Sequence, residues 1–239
     1  MKIEIEVLAS AGLVAQAAAK LIAAEARASV ATRGRFIMAV SGGRTPWQML
    51  RALANEEVSW RNVHVVQVDE RVAPADDPDR NLTHLRESLL SRVPLPPGQF
   101  HAMPVEENNL ETAAASYANL LRQIAGSPPV LDLVHLGLGP DGHTASLVAG
   151  DPVLDVTDRD VAVTGVYKER RRMTVTYPIL NRARCILFLV NGSEKAKTLQ
   201  RLVNGDTSIP AGRIQRDMAT VLADRTAASN ISATETKGI

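Results

Sequence analysis

The densest chemistry in the chain lies in Gly137-Leu138-Gly139-Pro140-Asp141-Gly142-His143-Thr144. Its glycines permit tight turns, and Asp141 stands two residues before His143. A carboxylate that close can orient an imidazole and raise its basicity. A free imidazole titrates at about 6.5, near working pH. His143 is therefore a candidate general base, with Asp141 as its orienting acid. The same letters also fit a structural Asp-Gly turn carrying a surface histidine. Thr144 and Ser146 are read as caps or ligands at the start of a following helix.

A second loop is Ser41-Gly42-Gly43-Arg44-Thr45-Pro46. Two glycines between a strand and a helix let the backbone approach a ligand, and free N–H groups at a helix start suit phosphate. A plain Gly-Gly turn explains the letters equally well. The loop is neither a Walker loop nor a full dinucleotide fingerprint. Asp69-Glu70-Arg71 puts three charges directly after an apolar run; taken alone, such a triplet reads as a solvated strand end. In Asn191-Gly192-Ser193-Glu194-Lys195, a lysine sits at a helix start, where the dipole disfavours it unless a phosphate shares the site. Lys168-Glu169-Arg170-Arg171-Arg172 could add another phosphate cation, most of the cluster being solvated. His64, His84, His101 and His135 show no partner pattern and read as structural, with His135 buried in a strand. No spacing marks a metal site, and no Gly-x-Ser-x-Gly elbow marks a serine hydrolase.

These loops need elements to hold them. Ile3–Val7 alternates like an edge strand. The stretch from Ser10 to Arg33 reads as a long helix, with Ser10 as N-cap and Gly34 as its stop. Phe36–Val40 and Cys185–Val190 are short continuous apolar runs, the mark of strands buried on both faces, and Val63–Val68 and Leu131–Leu136 read as further buried strands. Val161–Val166 and Met173–Thr176 are weaker strand candidates. Helices are expected at Trp47–Ala54, Leu82–Leu90, Leu110–Ile124 and from Glu194 to Val203. Strand, polar loop and helix in repetition predict an α/β fold with a mostly parallel sheet flanked by helices. Ligands in such sheets bind outside the C-terminal strand ends, where these loops lie.

The bulk properties agree. The 239 residues fit one α/β domain, with a loose tail expected from Ala227 to Ile239. The formal net charge is +1, with both signs interspersed. That gives no reason to expect nucleic acid, and no apolar run is long enough to span a membrane. The N-terminal segment lacks the pattern of a signal peptide. A single cysteine, Cys185, excludes an intrachain disulfide and reads as buried, not nucleophilic. The expected setting is a reducing compartment, the cytoplasm, with the chain a monomer or weak homodimer.

Taken in order, the Ser41–Pro46, Asp69–Arg71 and Gly137–Ser146 motifs, Tyr177-Pro178-Ile179-Leu180-Asn181 and Gly192-Ser193-Glu194-Lys195-Ala196 resemble the 6-phosphogluconolactonases of the glucosamine-6-phosphate isomerase/6-phosphogluconolactonase family. The likeness runs from about residue 10 to 215. It implies a modified Rossmann-like fold shared with glucosamine-6-phosphate deaminase, no metal or organic cofactor, and hydrolysis of a sugar-phosphate lactone in the pentose phosphate pathway. His143 then matches the base and Asp141 the acid beside it. Gly42, Gly43 and Thr45, within the Ser41–Thr45 loop, match the substrate loop, and Asp69 lies in the matching charged triplet. Arg71 matches a substrate-contacting arginine, which with nearby N–H groups would steady the oxyanion. Lys195 and Arg172 match phosphate ligands. Four segments depart from the family pattern: Arg44, Arg80-Asn81, Val148-Ala149-Gly150 and Pro210-Ala211-Gly212. Arg44 and Arg80 are expected to strengthen phosphate binding or alter the sugar preferred. The alternatives are a deaminase/isomerase, which would need a glutamate near Val148–Gly150, and a non-catalytic sugar-phosphate sensor.

Overall fold

The computed structural model describes residues 3–232. Ten strands and six α-helices follow one another: β1 (Glu4–Leu8), α1 (Ala11–Arg33), β2 (Phe36–Val40), α2 (Arg44–Leu53), β3 (Val63–Gln67), β4 (Asp69–Arg71), α3 (Asn81–Leu85), β5 (Phe100–His101), α4 (Leu110–Ala125), β6 (Leu133–Gly137), β7 (Val161–Val163), β8 (Arg172–Val175), α5 (Tyr177–Leu180), β9 (Ile186–Val190), α6 (Ala196–Val203) and β10 (Ala219–Asp224).

Seven strands form one parallel sheet in the order β1-β10-β9-β6-β2-β3-β5. Its central strands are apolar at nearly every position because both faces are covered. Along β2 the alternation is plain. Phe36, Met38 and Val40 enter the core under α1 and α2, while Ile37 and Ala39 enter the core on the opposite face, under α4 and α6. α1 starts and stops as its ends dictate: the Ser10 hydroxyl accepts from Leu13 N, and Gly34 closes the helix. Val14, Ala15, Ala18, Ile22 and Ala26 recur on one face and are buried. The alanines bring that helix close against the sheet.

A second sheet was not foreseen. β4, β8 and β7 form a three-stranded antiparallel sheet. The triplet Asp69-Glu70-Arg71 is thus a strand, and not a solvated strand end: Asp69 and Glu70 are buried. The helix expected over Leu82–Leu90 divides into α3 and a π-helical turn, Arg86–Leu90. The helix expected from Glu194 begins as a 3₁₀ turn, Ser193–Lys195, and becomes α at Ala196. No helix follows His143; the chain runs through turns to a 3₁₀ segment at Pro152–Asp155. β5 and β10 went unread. Of the tail expected from Ala227, Ala227 and Ala228 are buried, and residues 233–239 lie outside the described residues. Among the described residues, no helix is long and apolar enough to cross a membrane.

Candidate active site

From β2 the chain moves to β3, on one side; from β6 it moves to β9, on the other. The order therefore reverses between β2 and β6, where an open α/β sheet leaves a crevice beyond its C-terminal strand ends. A cleft of about 280 Å³ occupies this place, walled by the loops that leave β2, β6 and β9. That is the scale of a small metabolite.

The β2 loop forms the first wall. Ser41 is buried; its Oγ donates to His135 O at 3.0 Å and its N–H to His135 Nδ1 at 3.3 Å. Burial pushes the His135 imidazole down to about 3, so it is a neutral acceptor that ties β2's loop to β6. Gly42 is required by a neighbour: a Cβ there would stand 1.8 Å from Asn81 Oδ1. Gly43 is the N-cap of α2 and offers no side chain, and the first turn holds no acid. The first N–H groups of α2 thus lack partners at the cleft wall, an anion site by construction. Thr45 Oγ1 accepts from Asn191 Nδ2 at 2.9 Å, which joins this loop to the one after β9.

The β6 loop carries the pair foreseen from the sequence. His143 Nδ1 lies 2.5 Å from Asp141 Oδ1. The carboxylate selects the Nδ1–H tautomer, leaving Nε2 as the free acceptor. The loop is closed by Gly142 N to Gly139 O, 3.0 Å, and by Gly139 N to His143 O, 2.8 Å. Gly139 cannot be larger, since a Cβ would meet His143 Nδ1 at 2.1 Å. Burial raises the Asp141 pKa, but the hydrogen bond and charge of His143, with backbone N–H groups, outweigh it and hold the carboxyl below its ordinary value. Thr144 and Ser146 cap no helix. Thr144 Oγ1 donates to Gly137 O at 2.8 Å, and Ser146 Oγ to Asp69 Oδ2 at 2.6 Å.

Cations dominate the rest. Arg44, Arg71, Lys168, Arg172 and Lys195 line the cleft, with Asp69 as its carboxylate. Arg71 and Arg172 are register partners across β4 and β8. Like charges directly opposite are unfavourable, and an anion between them removes the cost. The buried Nε atoms of both arginines lack a partner. Burial lowers the pKa of Arg172, and Arg71 adds to this. Burial also lowers that of Lys195, whose Nζ donates to Leu138 O. The expectation for Arg80 fails. Its side chain is buried away from the cleft, against Glu70 Oε2 at 3.3 Å and Glu106 Oε1 at 2.7 Å. Cys185 departs from its reading as a buried strand residue: it is half-buried and stands one residue before β9, although burial still pushes its thiol up to about 12.

The site residues read from the sequence therefore meet, apart from Asp141, on the cleft wall, and Asp141 stands directly behind His143. Asn81 and Tyr167 were missed as parts of the site. Tyr167 adjoins the basic cluster, yet a lone aromatic beside charges carries no signal of its own. Among the described residues, no group of three or more His, Cys, Asp or Glu could hold a metal ion.

The 6-phosphogluconolactonase of Mycobacterium tuberculosis is 35% identical over 245 residues, spanning 97% of this chain and 99% of its own. That of Synechocystis sp. is 37% identical over 200 residues, 82% of this chain and 83% of its own. The solved 6-phosphogluconolactonase of Trypanosoma brucei superposes with a TM-score of 0.85 at 26% identity, covering 97% of this chain and 99% of that one. A monomeric glucosamine-6-phosphate deaminase shares the fold, with a TM-score of 0.84 at 20% identity over 95% of this chain and all of that one. Residues 9–222 match the model of the glucosamine-6-phosphate isomerases/6-phosphogluconolactonase, and the chain belongs to that family.

Proposed function

We propose that this chain hydrolyses 6-phospho-D-glucono-1,5-lactone to 6-phospho-D-gluconate in the cytoplasm, by general-base activation of water. The observation that carries the reading is the His143–Asp141 pair, which faces a helix N-terminus and several cations across one cleft. The 6-phosphate sits on the Gly42–Thr45 loop, with Lys195 and Arg172. His143 Nε2 takes a proton from water, and the oxygen attacks C1 of the lactone. Arg71 and adjacent N–H groups receive the charge that forms on the carbonyl oxygen. The bond between C1 and the ring oxygen breaks, and His143 returns the proton to that oxygen as it becomes the 5-hydroxyl. Asp141 stays ionised and steadies the transient imidazolium. The deaminase alternative is weakened because Val148-Ala149-Gly150 carries no carboxylate to assist ring opening.

The test generates the lactone in situ from glucose 6-phosphate and follows 6-phosphogluconate with the next dehydrogenase. Acceleration over spontaneous hydrolysis supports the reading. Ammonia released from glucosamine 6-phosphate, with no such acceleration, would overturn it. One further outcome follows for Lys195. Lys195→Met is expected to raise KM about 10- to 100-fold, the size of one charge-assisted hydrogen bond. Hydrolysis of unphosphorylated glucono-1,5-lactone should change little. Equal losses on both lactones would remove Lys195 from the phosphate.

A further inference from the structure

Between Val163 and Arg172 the chain makes a tight hairpin whose tip leans on the His143 loop. Tyr167 and Arg170 pair across it as an isolated bridge. Lys168 and Glu169 complete the turn at φ 49° and 66°. Two successive side-chain-bearing residues in the left-handed region are costly, and such strain persists only where the surroundings over-determine it. The determinants are visible. Arg170 clamps the tip to the neighbouring loop through Asp77 Oδ2 at 3.1 Å and Asp79 Oδ2 at 3.2 Å. Tyr167 is thereby delivered to the catalytic pair.

There the phenol hydroxyl donates to Asp141 Oδ2 at 3.2 Å, while His143 Nδ1 occupies Oδ1. The ring meets the imidazole edge to face, with centroids 5.6 Å apart. Arg172 Cζ and Lys168 Nζ lie 5.0 Å and 5.3 Å from the same ring centroid. We propose that Tyr167 is a positioning residue for the general base: its hydroxyl pins the second oxygen of Asp141, and its ring packs the imidazole into one orientation. This rests on His143 being the base of the proposed hydrolysis. Asp141 is 43% exposed, so a carboxylate held only through Oδ1 would be free to swing toward water and release the imidazole. Burial and the charge of Asp141 both raise the pKa of Tyr167, so the phenol stays a donor at neutral pH.

Tyr167→Phe removes the hydroxyl and keeps the ring. It is expected to lower kcat about three- to tenfold, the net worth of one ordinary, solvent-exposed hydrogen bond, with KM unchanged. A readout independent of turnover is the His143 Nδ1 proton in the NMR spectrum of the unliganded protein. In the wild type it should appear as a downfield resonance, lost in Asp141→Asn; in Tyr167→Phe it should move upfield and broaden as Asp141 is freed. A resonance unchanged in Tyr167→Phe overturns the positioning role. So does an unchanged kcat in an enzyme that turns over. If the wild-type chain does not hydrolyse the lactone, the reaction falls, and the resonance still decides whether Tyr167 sets the state of His143.

Discussion

His143→Ala is expected to lower kcat by about 10²–10⁴-fold, the usual worth of a positioned general base, with little change in KM. The division follows from the geometry. In the proposed reaction the phosphate is held by the α2 N-terminus and by cations on other elements, so substrate affinity does not pass through the imidazole. The base instead acts on water in the transition state, and losing an interaction made only there lowers kcat and kcat/KM together. The fold should survive, because the loop is closed by backbone bonds from Gly139 and Gly142 and the imidazole is partly exposed. Initial rates corrected for spontaneous hydrolysis, with a circular dichroism spectrum of the variant, check both halves. Full kcat in His143→Ala would end the assignment. A fall confined to KM would make His143 a binding residue.

The second large effect concerns stability. Glu70 is fully buried and accepts from Arg71 N, Asn81 N, Leu82 N and Gln67 Nε2, each at 2.8 Å, and it forms an ion pair with Arg80, Nε to Oε2 3.3 Å. One carboxylate thus caps α3, closes β4 and faces a buried arginine. Glu70→Ala leaves Arg71 N, Asn81 N, Leu82 N and Gln67 Nε2 unmatched and Arg80 with Glu106 as its remaining carboxylate. It is expected to cost about 3–5 kcal/mol, a large share of the stability of an ordinary domain. Urea denaturation would show it as a lower midpoint. Replacing both partners, Glu70→Leu with Arg80→Met, should recover the part of the loss that comes from the arginine charge, while the N–H groups stay unmatched. A single variant that unfolds at the wild-type midpoint would show that the network holds nothing.

These two effects mark where the sequence could be read and where it could not. The His143 loop was legible because glycine, acid and imidazole stand within eight residues and owe their geometry to local turns. The parallel sheet was legible because both-face burial makes β2 and β9 continuous apolar runs. The small antiparallel sheet was not. β4 is all charge, and its burial becomes reasonable only when Arg80, Asn81 and Ser146 arrive from distant segments. Arg80 deceived for the same reason: as a departure from the family pattern it suggested a phosphate contact or an altered sugar preference, while its neighbours in space are Glu70 and Glu106. β10, Ala-Thr-Val-Leu-Ala-Asp, lacks the bulky run of its neighbours, and its place between β1 and β9 is a long-range fact. Tyr167 reaches Asp141 across 26 positions, which local pattern does not carry.

The placing of β10 has a consequence for how the molecule is made. β1 pairs with β10, residue Glu4 against Thr220 through Leu8 against Asp224. During synthesis the first strand therefore has no partner until more than two hundred residues have followed it. Chain emerges at about 5–20 residues per second, so β1 waits on the order of tens of seconds at the ribosome with its apolar face uncovered. α1, already complete, is the nearest segment able to shield it. Pairings of such long separation are also the slow ones in refolding. The edge of the sheet is thus sealed only once β10 has been made, and a nascent chain halted before β10 would be the species most in need of a chaperone.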